Sequence, residues 1–192
     1  MAPLSLSQSK KNAKIEGATI VFEDEASFRL QSTLHQTWAP LGVQPIIPTH
    51  IHRNTQKIFG AVALHSGHFI CRHEPQSFNA DTYKAFIEED VLPAFYRKNH
   101  RVYYIQDNAS YHKDKDLWTW LKGKQTYINV INLPPYSPKL NAVERIWKYT
   151  RKNATHNKYF ETKEVLCATL FDLFESIRQN PTTMEGLLAA FL

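Results

Sequence analysis

The stretch Leu133-Pro-Pro-Tyr-Ser-Pro-Lys-Leu-Asn-Ala-Val-Glu-Arg-Ile-Trp147 constrains this chain more than any other. It follows the apolar run at residues 128–133, which reads as a short buried strand. Pro134, Pro135 and Pro138 have no N–H to give a sheet and fix φ, so the chain must leave the sheet here. Asn141 suits the N-cap of a new helix, and Val143, Ile146, Trp147 and Thr150 recur at the spacing of one buried face. Glu144 falls in the first turn, beside that face. A carboxylate fixed so firmly invites a search for partners. Two stand out: Asp24, closing the strand-like residues 18–22, and Asp107, closing residues 101–105.

The 192 residues suit one domain with a proper core, and 43% hydrophobic with 21% charged residues is ordinary for a globular chain. No apolar run approaches the roughly 20 residues of a membrane span, and the N-terminus lacks a signal-peptide layout. Cys71 and Cys167 carry no metal spacing and read as thiols of a reducing cytosol. A net charge of +5 suits a polyanionic partner without requiring one.

In chain order, residues 1–14 read as a flexible basic leader, and residues 15–192 as the folded domain. Strands are expected at residues 17–22 and 27–31, with a turn at 38–42. Residues 57–64 and 68–72 flank Ser66-Gly67 as a hairpin. A helix over 79–96 is kinked in its last turn by Pro93. A strand at 101–106, a helix at 113–122, the strand at 128–133 and the Glu144 helix follow. A last amphipathic helix spans about 163–178 and stops at Asn180-Pro181. Antiparallel strands followed by strand–helix alternation predict an α/β fold, a mixed sheet with helices on its faces. Sites in such sheets gather outside strand ends, where Asp24, Asp107 and Glu144 are expected to converge.

Three carboxylates around one pocket suit hard divalent cations and phosphodiester chemistry. Crowded acids repel, so without metal at least one should hold its proton unusually tightly. Each acid also has a plainer role. Asp24 is a turn former flanked by Glu23 and Glu25, either of which is also a candidate ligand, although Glu25 should face the opposite side of an extended chain. Asp107-Asn108 suits an Asx turn. Glu144 suits a capping box with Asn141, or an i,i+4 pair with Lys148. Three plain roles at three matching element ends would be a large coincidence.

Residues 22–28 (FEDEASF), 106–112 (QDNASYH) and 133–147 resemble the three catalytic blocks of IS630/Tc1/mariner-type DDE transposases, most strongly the IS630 branch. Trp38-Ala-Pro-Leu-Gly42 is similar to a segment of that branch too. The resemblance implies an RNase H-like fold and a metal-binding triad of Asp24, Asp107 and Glu144 holding two Mg²⁺ or Mn²⁺ ions. It further implies cut-and-paste transposition at TA dinucleotides, double-stranded DNA as partner, a homodimer, and a bacterial cytoplasmic, nucleoid-associated location. The family's N-terminal helix-turn-helix has no counterpart in these residues, so a separate helix-turn-helix polypeptide is a candidate partner. An inactive DNA-binding or dimerising remnant, or another RNase H-like nuclease, are the alternatives. Asn108 is expected to order the Asp107 turn, and His112 to lie on the surface near a helix start, with an approach to the metal site or a scissile phosphate as its other reading; both are candidate DNA contacts. Lys148 and Arg151 follow Glu144 at i+4 and i+7 and share its face as candidate phosphate grips.

Overall fold

The computed structural model describes residues 6–51, 54–97 and 100–192. Among these residues five strands form one sheet: β1 (Thr19–Arg29), β2 (Thr55–Ala63), β3 (Phe69–Glu74), β4 (Val102–Gln106) and β5 (Ile128–Asn132). Their spatial order is β3-β2-β1-β4-β5. β1, β2 and β3 pair antiparallel, whereas β4 and β5 run parallel to β1. This is the expected mixed sheet, and β1 sits where its two halves meet.

Among the described residues seven α-helices complete the fold: α1 (Leu6–Glu16), α2 (Ala80–Phe86), α3 (Leu92–Phe95), α4 (Lys115–Gly123), α5 (Val143–Thr150), α6 (Lys163–Gln179) and α7 (Pro181–Leu188). Side-chain alternation along β1 divides them between two cores. Ile20, Phe22, Ala26 and Phe28 pack with α1, α5, α6 and α7. Val21 faces the other core, with α2, α3 and α4.

Four expectations need correction. Residues 17–22 and 27–31 are not two strands, because β1 runs unbroken from Thr19 to Arg29. Glu23, Asp24 and Glu25 stay in the ladder opposite Ala61, Gly60 and Phe59 of β2, so Asp24 lies within the strand and does not close it. The basic leader is helical from Leu6, with Ser9 and Ala13 buried; Lys10 donates to the Phe191 carbonyl, and residues 1–5 lie outside the described residues. The 79–96 helix starts as expected, with a reciprocal Asn79–Thr82 capping box, but its irregularity precedes Pro93. A π turn at Ile87–Val91 widens the helix before the proline, whose ring would otherwise collide with the carbonyl four residues back. Finally, Asn180-Pro181 ends α6 and also begins α7: Asn180 Oδ1 accepts from the Thr183 N–H, and Pro181 occupies the first turn.

One contact fixes how α5 lies on the sheet. A Cβ placed on Gly60 would stand 2.6 Å from two ring carbons of Trp147. The missing side chain lets the buried indole lie against β2, next to the register partner of Asp24.

Between β1 and β2 the chain departs from this compactness. Described residues 31–51 hold no helix or strand, only an isolated bridge from Thr33 to His156. Leu34, Trp38, Leu41, Val43, Ile46 and Ile51 are all exposed, Trp38 completely. Both ends of this arm are tied to the segment after α5. The His35 N–H donates to Asn157 Oδ1 at 2.8 Å, and His50 Nε2 lies 2.6 Å from the Phe160 carbonyl oxygen.

Candidate active site

Asp24, Asp107 and Glu144 line one cavity of about 440 Å³, together with Asn108, Lys113 and Asn141. β1 supplies Asp24, the residue just after β4 supplies Asp107, and the first turn of α5 supplies Glu144. The proline-rich residues 133–138 form one wall. Within that wall Tyr136 adopts a φ of 56° with its side chain fully in solvent.

Local hydrogen bonds explain the convergence. The Ala109 N–H donates to Asp107 Oδ1 at 2.8 Å, which makes the Asx turn and uses only one carboxylate oxygen. The Asn108 amide donates to the Leu133 carbonyl, joining this turn to the end of β5. Asn141 is buried and works in two directions. Its Nδ2 donates to the Glu23 carbonyl at 2.7 Å, and its Oδ1 accepts from the Val143 N–H at 3.2 Å. The start of α5 is thereby pinned to β1 beside Asp24. The plainer roles for Glu144 are absent. The Asn141 N–H donates to the Pro138 carbonyl, so no capping box closes, and Glu144 makes no ion pair among the described residues.

The donor set fits a hard divalent cation. Single carboxylate oxygens of Asp24, Glu25 and Asp107 lie within 4.8 Å of one another, and oxygen is the ligand such cations take. Burial, then the charges of Glu25, Glu144 and Asp107, push the Asp24 carboxyl up to about 8. That is the crowding anticipated for a carboxylate cluster without its counter-ions. Glu23, fully buried on the other side of β1, is pushed well above the carboxylate range by burial and by the neighbouring acids, and its two oxygens have no hydrogen-bond partner.

His112 does not take its expected surface place. It is 1% exposed, because the 3₁₀ turn Ser110–Lys113 folds it back beneath Asp107. Its Nδ1 lies 3.3 Å from Asp107 Oδ1 and its Nε2 3.3 Å from Glu25 Oε1. Burial opposes a charge on the ring, but Asp107 and Glu25 outweigh it and raise its pKa to about 9. The same contact, chiefly the His112 hydrogen bond, holds the Asp107 carboxyl below its ordinary value. Glu25 does leave β1 on the face opposite Asp24, as alternation requires, yet its carboxylate reaches the cluster at the sheet's edge and also accepts from the Tyr111 hydroxyl. Lys148 is exposed, whereas Arg151 is half-buried with its guanidinium 5.4 Å above the Phe28 ring. Sequence reasoning left Glu25 open as a ligand but turned its side chain away, favoured the surface for His112, and missed the Asn141–Glu23 link. The available signal was the five-residue step from Asp107 to His112, enough for a tight turn to return beneath the acid.

A mixed sheet with acids on its central strand, after the adjacent parallel strand and on a covering helix defines an RNase H-like fold with an acidic site. Residues 19–167 match the DDE superfamily endonucleases, and the chain belongs to that family. It is 29% identical over 167 residues to the insertion element IS630 39 kDa protein of Shigella sonnei, covering 86% of this chain and 45% of that protein. It is 26% identical over 180 residues to the Tc3 transposase of Caenorhabditis elegans, covering 90% and 53% respectively. The chain thus spans about half the length of these relatives. The catalytic domain of Mos1 mariner transposase superposes with a TM-score of 0.52 at 15% identity, over 99% of this chain and 97% of that one. The Mos1 paired end complex with Mn gives a TM-score of 0.56 at 18% identity, over 99% and 64%. Among the described residues no helix is long and apolar enough to cross a membrane.

Proposed function

We propose that this chain is the catalytic domain of an IS630/Tc1/mariner-type transposase that cleaves DNA at element ends and joins the freed ends to a TA target. The observation that carries this reading is the convergence of Asp24, Asp107 and Glu144 on one cavity, with Asp24 pushed up to about 8 by burial and then by its acidic neighbours. Asp24 and Asp107 would share two Mg²⁺ or Mn²⁺ ions, and Glu144 would complete one site. Bound there, the ions supply positive charge for the attacking and leaving oxygens of a phosphodiester exchange. The protein's own part is to hold its oxygens in place. Asp107 keeps Oδ1 on the Ala109 N–H, which leaves Oδ2 uncommitted. Asn141 holds the Glu144 turn against β1. Lys113 at the cavity and the exposed Lys148 offer charge to DNA phosphates, while Arg151 is partly engaged by Phe28 and Asn108 by Leu133.

A homodimer belongs to the same proposal. The exposed apolar arm supplies a surface for a second copy, and a relative of the same fold is described in a paired end complex. A separate helix-turn-helix polypeptide that reads the element ends, and a bacterial cytoplasmic setting, complete it. The test is nicking of duplexes carrying the inverted repeats that flank this reading frame, with Mg²⁺ or Mn²⁺, beside Asp107→Asn and Glu144→Gln. Metal-dependent cutting lost in both variants is expected. Equal cutting by the variants would assign the activity elsewhere, and preferential cutting of RNA–DNA hybrids would favour another RNase H-like nuclease.

A further inference from the structure

We propose that His112 and Glu25 form a strap that sets the spacing between Asp24 on β1 and Asp107 just after β4, making His112 the positioning residue for Asp107 and Glu25 its anchor on β1. The inference deepens the metal-site reading above and rests on it.

The geometry is specific. Asp24 is part of β1 and shares that strand's rigidity, with ladder partners on β2. Asp107 lies beyond the last residue of β4, in a loop, with its side chain about half exposed. Its Asx bond to Ala109 orders the turn locally but gives no tie to β1. His112 provides that tie. One ring nitrogen lies 3.3 Å from Asp107 Oδ1 and 3.2 Å from the Asp107 carbonyl, so it contacts both the side chain and the backbone of the loop acid. The other nitrogen lies 3.3 Å from Glu25, the residue next to Asp24.

The ring has little freedom to move. Tyr83 packs against it at 4.3 Å between ring centroids and Tyr111 at 4.6 Å. The Tyr111 hydroxyl in turn donates to Glu25, and the Tyr83 hydroxyl to Gln106, the last residue of β4. Both ends of the strap are therefore held by aromatic residues of the opposite core. A loop carboxylate tethered in this way keeps the position a shared ion requires, whereas an untethered one must be ordered at the moment of binding. A histidine that merely filled a core would have no reason to lie beside both the loop acid and the neighbour of the strand acid.

The test uses the full 192-residue chain. Mn²⁺ binding is measured by calorimetry or electron paramagnetic resonance, and the metal concentration giving half-maximal DNA nicking is measured in parallel. His112→Gln and Glu25→Gln should each weaken Mn²⁺ binding roughly ten- to hundredfold. Nicking should return towards the wild-type rate at saturating metal. Because both act through one strap, the double variant should lose little more than either single one. Thermal unfolding identifies any variant that fails to fold, and Glu25→Gln stands in if His112→Gln does. Wild-type Mn²⁺ affinity in folded His112→Gln or Glu25→Gln, or losses that multiply in the double variant, would overturn the strap. Asp107→Asn separates the two levels: it should abolish binding, and if it binds Mn²⁺ normally the metal-site reading fails and the strap falls with it.

Discussion

The acid cavity and the arm at residues 31–51 are both built from sequence-distant parts, yet they differ in what completes them. Around the cavity, groups of this chain hold each acid: Asn141 on the Glu23 carbonyl, Asn108 on Leu133, Trp147 over Gly60. The arm is fastened only at its ends, and between them Trp38, Leu41 and Ile46 meet nothing but solvent. Apolar surface of that kind is costly to leave in water, and monomeric proteins seldom keep large contiguous patches of it. The contrast separates two kinds of construction. The cavity is held by the chain's own side chains, whereas the arm keeps its apolar side chains in solvent.

The sharpest way to break the comparison is at the acids. Asp24→Asn, Asp107→Asn or Glu144→Gln should each reduce DNA nicking by about 10³-fold or more. Unchanged sedimentation of these variants would keep the effect inside the cavity. The converse experiment acts on the arm. Trp38→Ser with Leu41→Ser should weaken self-association roughly ten- to hundredfold in analytical ultracentrifugation, with Mn²⁺ affinity and unfolding temperature of the monomer unchanged. If the double variant lost metal binding as well, the two regions would not be separable.

Smaller effects sharpen the picture. Gly60→Ala should destabilise the chain by about 1–3 kcal/mol in urea denaturation, because the new methyl group must displace the Trp147 indole. Nicking should fall with it, since the same helix carries Glu144. The metal-free cluster also has a pH signature. The Asp24 carboxyl titrates at about 8 in the folded chain against an ordinary 3.8. Between those values the folded state keeps a proton that the unfolded state has lost. Stability should therefore fall as pH rises through this window, by up to about 1.4 kcal/mol per pH unit for this group. Asp24→Asn should flatten that decline in denaturation curves taken without divalent ions, and a steeper decline would contradict the assignment. The smallest effect belongs to the rim. Lys148→Ala should lower the slope of log affinity against log salt for duplex DNA by about one, measured by fluorescence anisotropy.

Much of the fold was legible because its signals are local. The prolines at 134, 135 and 138 end β5, the spacing from Val143 to Thr150 gives α5 its buried face, and Asn79 opens α2. The break expected inside β1 shows the limit of such reasoning. Glu23, Asp24 and Glu25 look like a turn by residue type, but the partners on β2 that keep them in the ladder lie more than thirty residues away. The two arguments for the site fared differently for the same reason. Asp24, Asp107 and Glu144 were readable as a set of acids, and they line one cavity, although Asp24 sits within its strand and not at its end. The inward turn of His112 was not, because its burial depends on Tyr83 and Tyr111 closing over it. Charge patterning likewise placed Lys148 and Arg151 on one face, while the Phe28 ring beneath Arg151 was invisible until β1 proved long enough to present it.

The bare backbone at position 60 carries a further consequence. Trp147 stands one turn after Glu144, so the depth to which the indole sinks decides how far the acid reaches over the sheet. That depth is set by an atom the protein does not have. Chain length in the arm can therefore drift without shifting the acid, while a single added carbon on a neighbouring strand would retune it.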